Sequence, residues 1–154
     1  MIGRVMDFLT GGRPPAVVKS GDDLETAVAA LLIEAARMDT DFDSAERSTI
    51  ARLLSERFGL TGDAVHDLIE EADRLVKETS QMFPFTREIC ARIPPEDRAH
   101  IIEMLWKVAY ADGVLDPHED MLLRRIAGLI HVPDRERSLA RRRALDTLAA
   151  QLAR

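Results

Sequence analysis

Two related stretches decide the fold of this 154-residue chain: residues 28–46 read VAALLIEAARMDTDFDSAE, and residues 101–119 read IIEMLWKVAYADGVLDPHE. Each begins with a segment that is apolar on every side and ends in a loop rich in carboxylates. They align without a gap at an offset of 73, and five of their nineteen positions are identical. Helices that are apolar all round must be central, so we predict a two-copy repeat around two central helices.

Helical periodicity and helix-ending residues alternate outside these stretches. In the first half, Asp22 and Glu25 fit a capping box, Gly59 is placed to end a second helix, and Thr61 can cap a third. The further predicted helices are a short one over residues 86–92 and three that begin at Pro95, Asp116 and Pro133, the last with apolar positions Leu139, Leu145, Leu148 and Leu152. No strand-like alternation interrupts this pattern. The predicted fold is all-α, a multihelical bundle of two pseudo-symmetric three-helix repeats.

Length and composition are those of one globular domain. Hydrophobic residues make up 46% of the chain and charged residues 31%, which excludes a disordered or collagen-like protein. Residues 10–21 are rich in Gly and Pro without periodicity, so we assign residues 1–21 to an N-terminal segment and linker. The helical domain is predicted over residues 22–154, with repeat one at about 22–80 and repeat two at about 95–152.

The charge is unevenly distributed along the chain. Its formal net value is -6, and residues 1–77 carry all of this excess, whereas residues 78–154 are neutral overall. An acidic half argues against nucleic acid as the main partner. Six arginines in residues 135–154 form the one basic stretch where such a partner can dock, and a solvated helix face is their simpler interpretation.

The single cysteine, Cys90, cannot form an internal disulfide, so we expect a cytoplasmic protein and a structural thiol. The longest apolar run is far shorter than a bilayer span. A weak amphipathic anchor within residues 1–10 is the one membrane contact left open, and a frayed terminal helix is its alternative. The sequence leaves the oligomeric state open.

The chemistry-bearing motif is D-x-x-x-D-x-x-E, which occurs once in each loop. Its members are Asp39, Asp43 and Glu46 in the first loop and Asp112, Asp116 and Glu119 in the second. The second Asp and the Glu of each copy fit a helix N-cap with its reciprocal partner. Capping does not explain Asp39 and Asp112, because each follows a helix C-terminus, where the macrodipole disfavours negative charge. A turn hydrogen bond, an arginine or a cation can offset that charge.

A divalent cation is the functional hypothesis for these loops. Three carboxylates within eight residues supply the hard oxygen ligands that Ca²⁺ or Mg²⁺ takes, and His118 is a candidate extra ligand. An EF-hand is excluded, because Ser44 and Ile50 stand where that loop needs Gly and Glu. We therefore expect a different carboxylate site, local to each loop or shared between the loops, with helix capping alone as the alternative.

Catalysis has no support in the sequence. There is no Gly-rich phosphate loop, no H-E-x-x-H and no G-x-S-x-G, so we expect a protein that is not an enzyme. Trp106 and Tyr110, four residues apart on a central helix, indicate core packing, with a partner groove as the alternative. The histidines are scattered through the chain and indicate no ligand cluster.

The segment A-D-G-x-x-D-x-x-E over residues 111–119, its partial copy at residues 38–46 and the apolar helix before each resemble the TerB-like family of tellurite-resistance-associated proteins. The resemblance covers residues 24–152, and the first copy departs from it at Met38 and Thr40. It implies an all-α fold with a pseudo-twofold, acidic loops suspected of binding metal, and a role in stress or tellurite-resistance systems. TerB-like domains attached to co-chaperones suggest the alternative, a module for an unidentified protein partner.

Overall fold

The computed structural model describes residues 22–37, 44–79, 81–111 and 117–153. These residues form seven α-helices and one 3-10 turn, with no strand among them, so the predicted all-α class is confirmed. The helices are α1 (Asp22–Ala36), α2 (Ser44–Phe58), α3 (Gly62–Glu78), α4 (Phe83–Arg92), α5 (Ala99–Ala109), α6 (Pro117–Leu129) and α7 (Asp134–Leu152). The 3-10 turn, Pro95–Asp97, precedes α5. Within the described ranges, no helix is both long and apolar enough to cross a bilayer.

Helices α1 and α5 form the centre of the hydrophobic core, as their largely apolar sequences predict. Within residues 27–36 of α1, every side chain except that of Glu34 is buried. In α5, Trp106 and Leu105 are among the largest side chains that are fully buried. A helix buried on all sides cannot lie on the surface, so the remaining helices must shield it from water.

The covering helices divide between the two central ones. Helix α3 packs on α1, and α7 packs on α5, and these are the most extensive contacts in the bundle. Helices α2 and α6 each contact both α1 and α5. Helix α4 lies against α1 and α6. The central pair is thereby enclosed by layers of amphipathic helices, which is one of the few stable ways to bury two apolar helices.

Helices α2 and α6 end in the same way. Gly59 follows α2 with a φ of 66°, and its N–H donates to the carbonyl oxygen of Ser55 at 2.8 Å. His131 follows the end of α6 with a φ of 62°, and the N–H of Val132 donates to the carbonyl oxygen of Ala127 at 2.8 Å. A left-handed residue after a helix lets free carbonyl groups accept such bonds. The predicted stop at Gly59 is confirmed, whereas the left-handed conformation of His131 has no counterpart in the sequence pattern.

Prolines move two predicted boundaries, and one predicted cap is not formed. Helix α4 begins at Phe83 instead of residue 86, because Pro84 fits the first turn, where its missing N–H is not needed. Pro95 starts the 3-10 turn, and the α-helix begins only at Ala99. Thr61 occupies the N-cap position of α3, but its side chain makes no capping hydrogen bond.

Helix α7 buries small residues instead of its leucines. Ala140 and Ala144 are fully buried, whereas Leu139 and Leu145 are 41% and 38% exposed and Leu152 is 86% exposed. The reason is geometric: α7 packs mainly on α5, so only a narrow face is covered. Alanines on that face allow close approach of the two helix backbones, and the longer side chains lie beside it.

Arg98 joins the ends of two helices from within the core. It is 8% exposed and donates hydrogen bonds to three backbone carbonyl oxygens, those of Ile93 at 2.9 Å, Cys90 at 3.0 Å and Ile130 at 3.3 Å. These carbonyls lie at the C-terminal ends of α4 and α6, where helices leave acceptors unsatisfied and where positive charge is favoured. The guanidinium therefore caps both helices at once.

Candidate functional site

The structure describes two of the six predicted cation ligands. Glu46 lies in the first turn of α2, and Glu119 lies in the first turn of α6. The four aspartates of the two loops lie outside the described residues: Asp39, Asp43, Asp112 and Asp116. Arg37 and Ala111 are the last described residues before the two loops, and each donates its N–H to a carbonyl of the preceding helix, at 2.9 and 3.1 Å. Each loop thus joins the end of a central helix to the start of the next helix.

The two glutamates are buried to the same degree. Glu46 is 3% exposed and Glu119 is 1% exposed, which places them among the few buried charged residues of the described chain. Burying a carboxylate is costly unless it has polar partners, and both residues do make interactions. A carboxylate that interacted only with water would be exposed at the surface. These two positions are therefore built to hold an acidic side chain inside the fold.

Their location fits two kinds of chemistry. In the first turn of a helix, a carboxylate accepts hydrogen bonds from free N–H groups and is stabilised by the positive end of the helix dipole. The same oxygen atoms can ligate a hard cation when other oxygen ligands converge from the adjoining loop. Among the described residues, no group of three or more His, Cys, Asp or Glu side chains is arranged to hold a metal ion.

The other residues named from the sequence lie apart from this pair or form the core. His118 is exposed beside Glu119, and it also makes interactions. Cys90 is half-buried, and its thiol lies 3.6 Å from the carbonyl oxygen of Leu129, as expected of a structural residue. Trp106 is fully buried and stacks on Tyr110 with ring centroids 5.8 Å apart, which confirms the predicted core packing.

The Arg-rich stretch of α7 does more than form a solvated face. The guanidinium of Arg141 lies 5.2 Å from the centroid of the Trp106 ring and donates two hydrogen bonds to the hydroxyl oxygen of Tyr110, at 2.8 and 3.1 Å. Arg143 donates a 2.9 Å hydrogen bond to Glu103 on α5. Because two of these arginines hold α7 to α5, part of the basic charge serves the packing of the domain.

Sequence reasoning missed a second group of polar residues, which the fold brings together from α2, α5 and α7. Arg57, His100, Glu103 and Arg143 line one cavity of about 480 Å³. The spacing of His100 and Glu103 along α5 was a visible signal, because residues three apart share a helix face. Arg57 and Arg143 are distant in sequence, and only the tertiary structure places them beside that face.

Comparisons with known proteins show the family and the fold of this chain. The model of the family described as tellurite resistance protein TerB matches residues 25–142. The chain belongs to the TerB family. A comparison with curated proteins gave no match. A crystal structure of a protein of unknown function from Porphyromonas gingivalis W83 is similar, with a TM-score of 0.56 and 23% sequence identity over 81% of this chain and 89% of that chain. The likeness shows that this TerB-family chain shares its fold with that protein.

Proposed function

We propose that this TerB-family domain is a non-enzymatic, cytoplasmic module that binds a divalent cation such as Ca²⁺ through its two acidic loops and acts in stress or tellurite-resistance systems. The proposed ligands are Asp39, Asp43 and Glu46 in the first loop and Asp112, Asp116 and Glu119 in the second. Family membership supports the proposed role in tellurite resistance, since the matching family is described as tellurite resistance protein TerB.

The observation that carries the proposal is the matched burial of Glu46 and Glu119. Each is the last carboxylate of its D-x-x-x-D-x-x-E motif, so each loop ends in an oxygen ligand held inside the fold. A fixed carboxylate loses less side-chain entropy on binding an ion than a mobile one does. Asp39 and Asp112 add negative charge after a helix C-terminus, where a cation offsets the unfavourable helix dipole.

We also propose that the two halves are pseudo-symmetric repeats. Helix α3 covers α1 as α7 covers α5, and α2 and α6 each bridge the central pair. The left-handed residues Gly59 and His131 end α2 and α6 at positions that match once one residue of the first half is left unaligned. Under this symmetry the two acidic loops are equivalent, and each is expected to contribute to cation binding.

Calorimetric titration of chelator-treated protein with Ca²⁺, Mg²⁺, Mn²⁺ and Zn²⁺ tests the cation site. We expect at least one ion to bind with a Kd below about 1 mM, which corresponds to a binding free energy stronger than about 4 kcal/mol. Asp39→Asn and Asp112→Asn should each weaken binding, since each removes a charged ligand. Asp63→Asn is the matched control, because Asp63 is an exposed acidic residue in the first turn of α3. No binding by the wild type contradicts the proposal.

A protein-interaction module is the second candidate, and the exposed leucines of α7 favour it. Leu139, Leu145 and Leu152 present apolar side chains to solvent on one helix. Leu145 and Leu152 are seven residues apart and so share one face of the helix, and an exposed apolar face is typical of interaction surfaces. Under this alternative the acidic loops serve only as helix caps, and the titration detects no metal binding by the wild type, by Asp39→Asn or by Asp112→Asn. Cross-linking in cells, with Leu145→Ser compared against wild type, tests whether a partner contacts this helix.

A further inference from the structure

A groove of about 410 Å³ lies on the surface between α2 and α3. The buried side chains of Val65 and Ile69 form its base, beside the half-buried Ala51. Gly62, the first residue of α3, leaves one end of the groove open, because an added Cβ there meets no atom within 4 Å. None of these residues belongs to the acidic loops, so the groove is separate from the proposed cation site.

The arginines at the rim of the groove are already paired. Arg47 forms an ion pair with Glu70, and Arg52 lies 3.9 Å from Glu56. Neither arginine therefore needs a carboxylate or a phosphate from a ligand. The other polar residues of the lining are Ser48, Ser55 and His66. With an apolar base and paired charges at its rim, the groove favours an occupant that is recognised by apolar contact.

Helix α1 begins near the open end of this groove. Arg37, directly after α1, donates a 3.0 Å hydrogen bond to Asp73, which lies only five residues before the end of α3. Because α1 packs extensively on α3, it must run beside the part of α3 that precedes Asp73, in the same direction. The 15 residues of α1 span about 22 Å, and α3 spans about 16 Å from Gly62 to Asp73. The chain therefore enters α1, at Asp22, close to Gly62.

The segment before α1 supplies an apolar occupant within reach. Residues 2–9, which lie outside the described part of the chain, read IGRVMDFL. Four of their apolar residues recur at helical spacing, at positions 2, 5, 6 and 9, and one acidic and one basic residue leave no net charge. Residues 10–21 connect this segment to α1, and a stretch of this length spans up to about 40 Å. The segment can therefore reach the groove without any rearrangement of the helices.

Tethering favours this segment over a separate partner. A short linker holds a segment at an effective concentration of about 1 mM beside its site. A contact with an intrinsic Kd of about 1 mM is then formed about half of the time, although a separate molecule of the same affinity would have to be present at millimolar concentration. A small apolar groove is therefore sufficient for a segment of the same chain.

We propose that residues 2–9 dock into the groove between α2 and α3, with their apolar face against Ala51, Val65 and Ile69. An amphipathic helix in an apolar groove is a recurring mode of peptide recognition. Arg4 and Asp7 lie on the opposite side of such a helix and remain in contact with water.

Paramagnetic relaxation in the whole chain tests this docking. A nitroxide is attached to Gly3→Cys in ¹⁵N-labelled protein that also carries Cys90→Ser, so that only one thiol reacts. The amide resonances of Ala51, Gly62 and Val65 should lose about half of their intensity or more, as expected for a segment that is docked half of the time. The resonances of α7, which packs on α5, should keep theirs.

Two matched pairs of variants control the test. Met6→Asp places a charge on the apolar face and should restore the groove signals, whereas Asp7→Asn should leave them broadened. Gly62→Leu fills the open end of the groove and should release the segment. Gly128→Leu is its control, because Gly128 is an exposed glycine of α6 with equal free space around it. Circular dichroism of each variant confirms an intact fold.

A mixture of ¹⁵N-labelled chain without nitroxide and spin-labelled chain without ¹⁵N identifies the source of the broadening. Docking within one chain predicts no broadening in this mixture, so broadening there would make a second copy the occupant and overturn the proposal. Groove signals that the nitroxide leaves unchanged, or broadening that persists in Met6→Asp and Gly62→Leu, would also overturn it. Unchanged signals together with co-sedimentation of the chain on phosphatidylglycerol vesicles would assign the segment to a membrane surface instead.

Discussion

Arg98 and Cys90 are joined by a 3.0 Å hydrogen bond, in which a buried guanidinium donates to a backbone carbonyl oxygen. Together with the carbonyls of Ile93 and Ile130, this bond replaces the carboxylate that a buried arginine usually requires; within the described residues Arg98 has no ion pair. The charge is instead balanced by the negative ends of α4 and α6. Arg98, which directly precedes α5, thereby connects the end of α4 to the end of α6.

Replacing this guanidinium should be costly. We expect Arg98→Met to lower the free energy of unfolding by about 3 kcal/mol, because three backbone carbonyls lose a charged donor. Urea denaturation followed by circular dichroism measures the change. Arg92→Met is the control, since Arg92 forms only an exposed pair with Glu88 and its loss should cost less than about 1 kcal/mol. Equal effects at the two positions would contradict the capping role.

The two left-handed helix ends predict opposite effects of substitution. Gly59→Ala should destabilise the domain by about 1 kcal/mol through backbone strain alone, since an added Cβ at Gly59 meets no neighbouring atom within 4 Å. His131→Gly should stabilise it by about 0.5–1 kcal/mol, because glycine accepts this conformation without strain. Thermal unfolding of both variants measures these differences. A stabilising Gly59→Ala would show that the turn is not held as described.

The contact between α5 and α7 depends on small residues. Ala144 is fully buried there, so we expect Ala144→Leu to destabilise the domain by about 1–3 kcal/mol through overpacking. Ala149→Leu, at an exposed position of the same helix, should change stability by no more than about 0.5 kcal/mol. Chemical denaturation of the pair separates the effect of packing from helix propensity. If both variants behave alike, the two helices are not in close contact at Ala144.

Replacing Glu34 with a neutral residue should stabilise the domain in a pH-dependent way. Burial raises the pKa of this α1 carboxyl, and the charge of Arg37 only partly opposes that effect. The folded state therefore disfavours the ionised form, and stability is lost as the pH rises from the ordinary glutamate pKa through the raised one. Glu34→Gln should have a higher melting temperature than wild type at about pH 7, and the difference should vanish at about pH 3, where both states are protonated. A lower melting temperature at neutral pH would contradict this account.

Much of the fold was predictable because its strongest signals are local. The apolar runs of α1 and α5 are buried as predicted, apart from one polar face of α5 that carries His100, Glu103 and Lys107. Boundaries were less certain where proline has two uses: Pro84 lies inside the first turn of α4, whereas Pro95 begins a 3-10 turn. The buried face of α7 depends on which neighbour it meets, so its leucines were a poor guide.

Part of the candidate site was also predictable, because its signal is local in the sequence. The acidic motif is repeated in the sequence, and the burial of Glu46 and Glu119 is consistent with a role for its last carboxylate. The cavity at Arg57 could not be predicted, because its residues come from three helices and a turn that converge only in the folded chain. Arg98 was missed for a similar reason: its partners are backbone carbonyls, which carry no sequence signature.

Paramagnetic broadening by Mn²⁺ tests the central claim, the cation site at the two acidic loops, most directly. Added in small amounts to ¹⁵N-labelled protein, Mn²⁺ should broaden the amide resonances of residues 38–46 and 111–119 first, and Asp39→Asn with Asp112→Asn should abolish that effect. A competing excess of Ca²⁺ should restore the signals. Broadening that is absent, or that centres on the exposed carboxylates of α3 such as Glu70 and Glu78, would contradict the account.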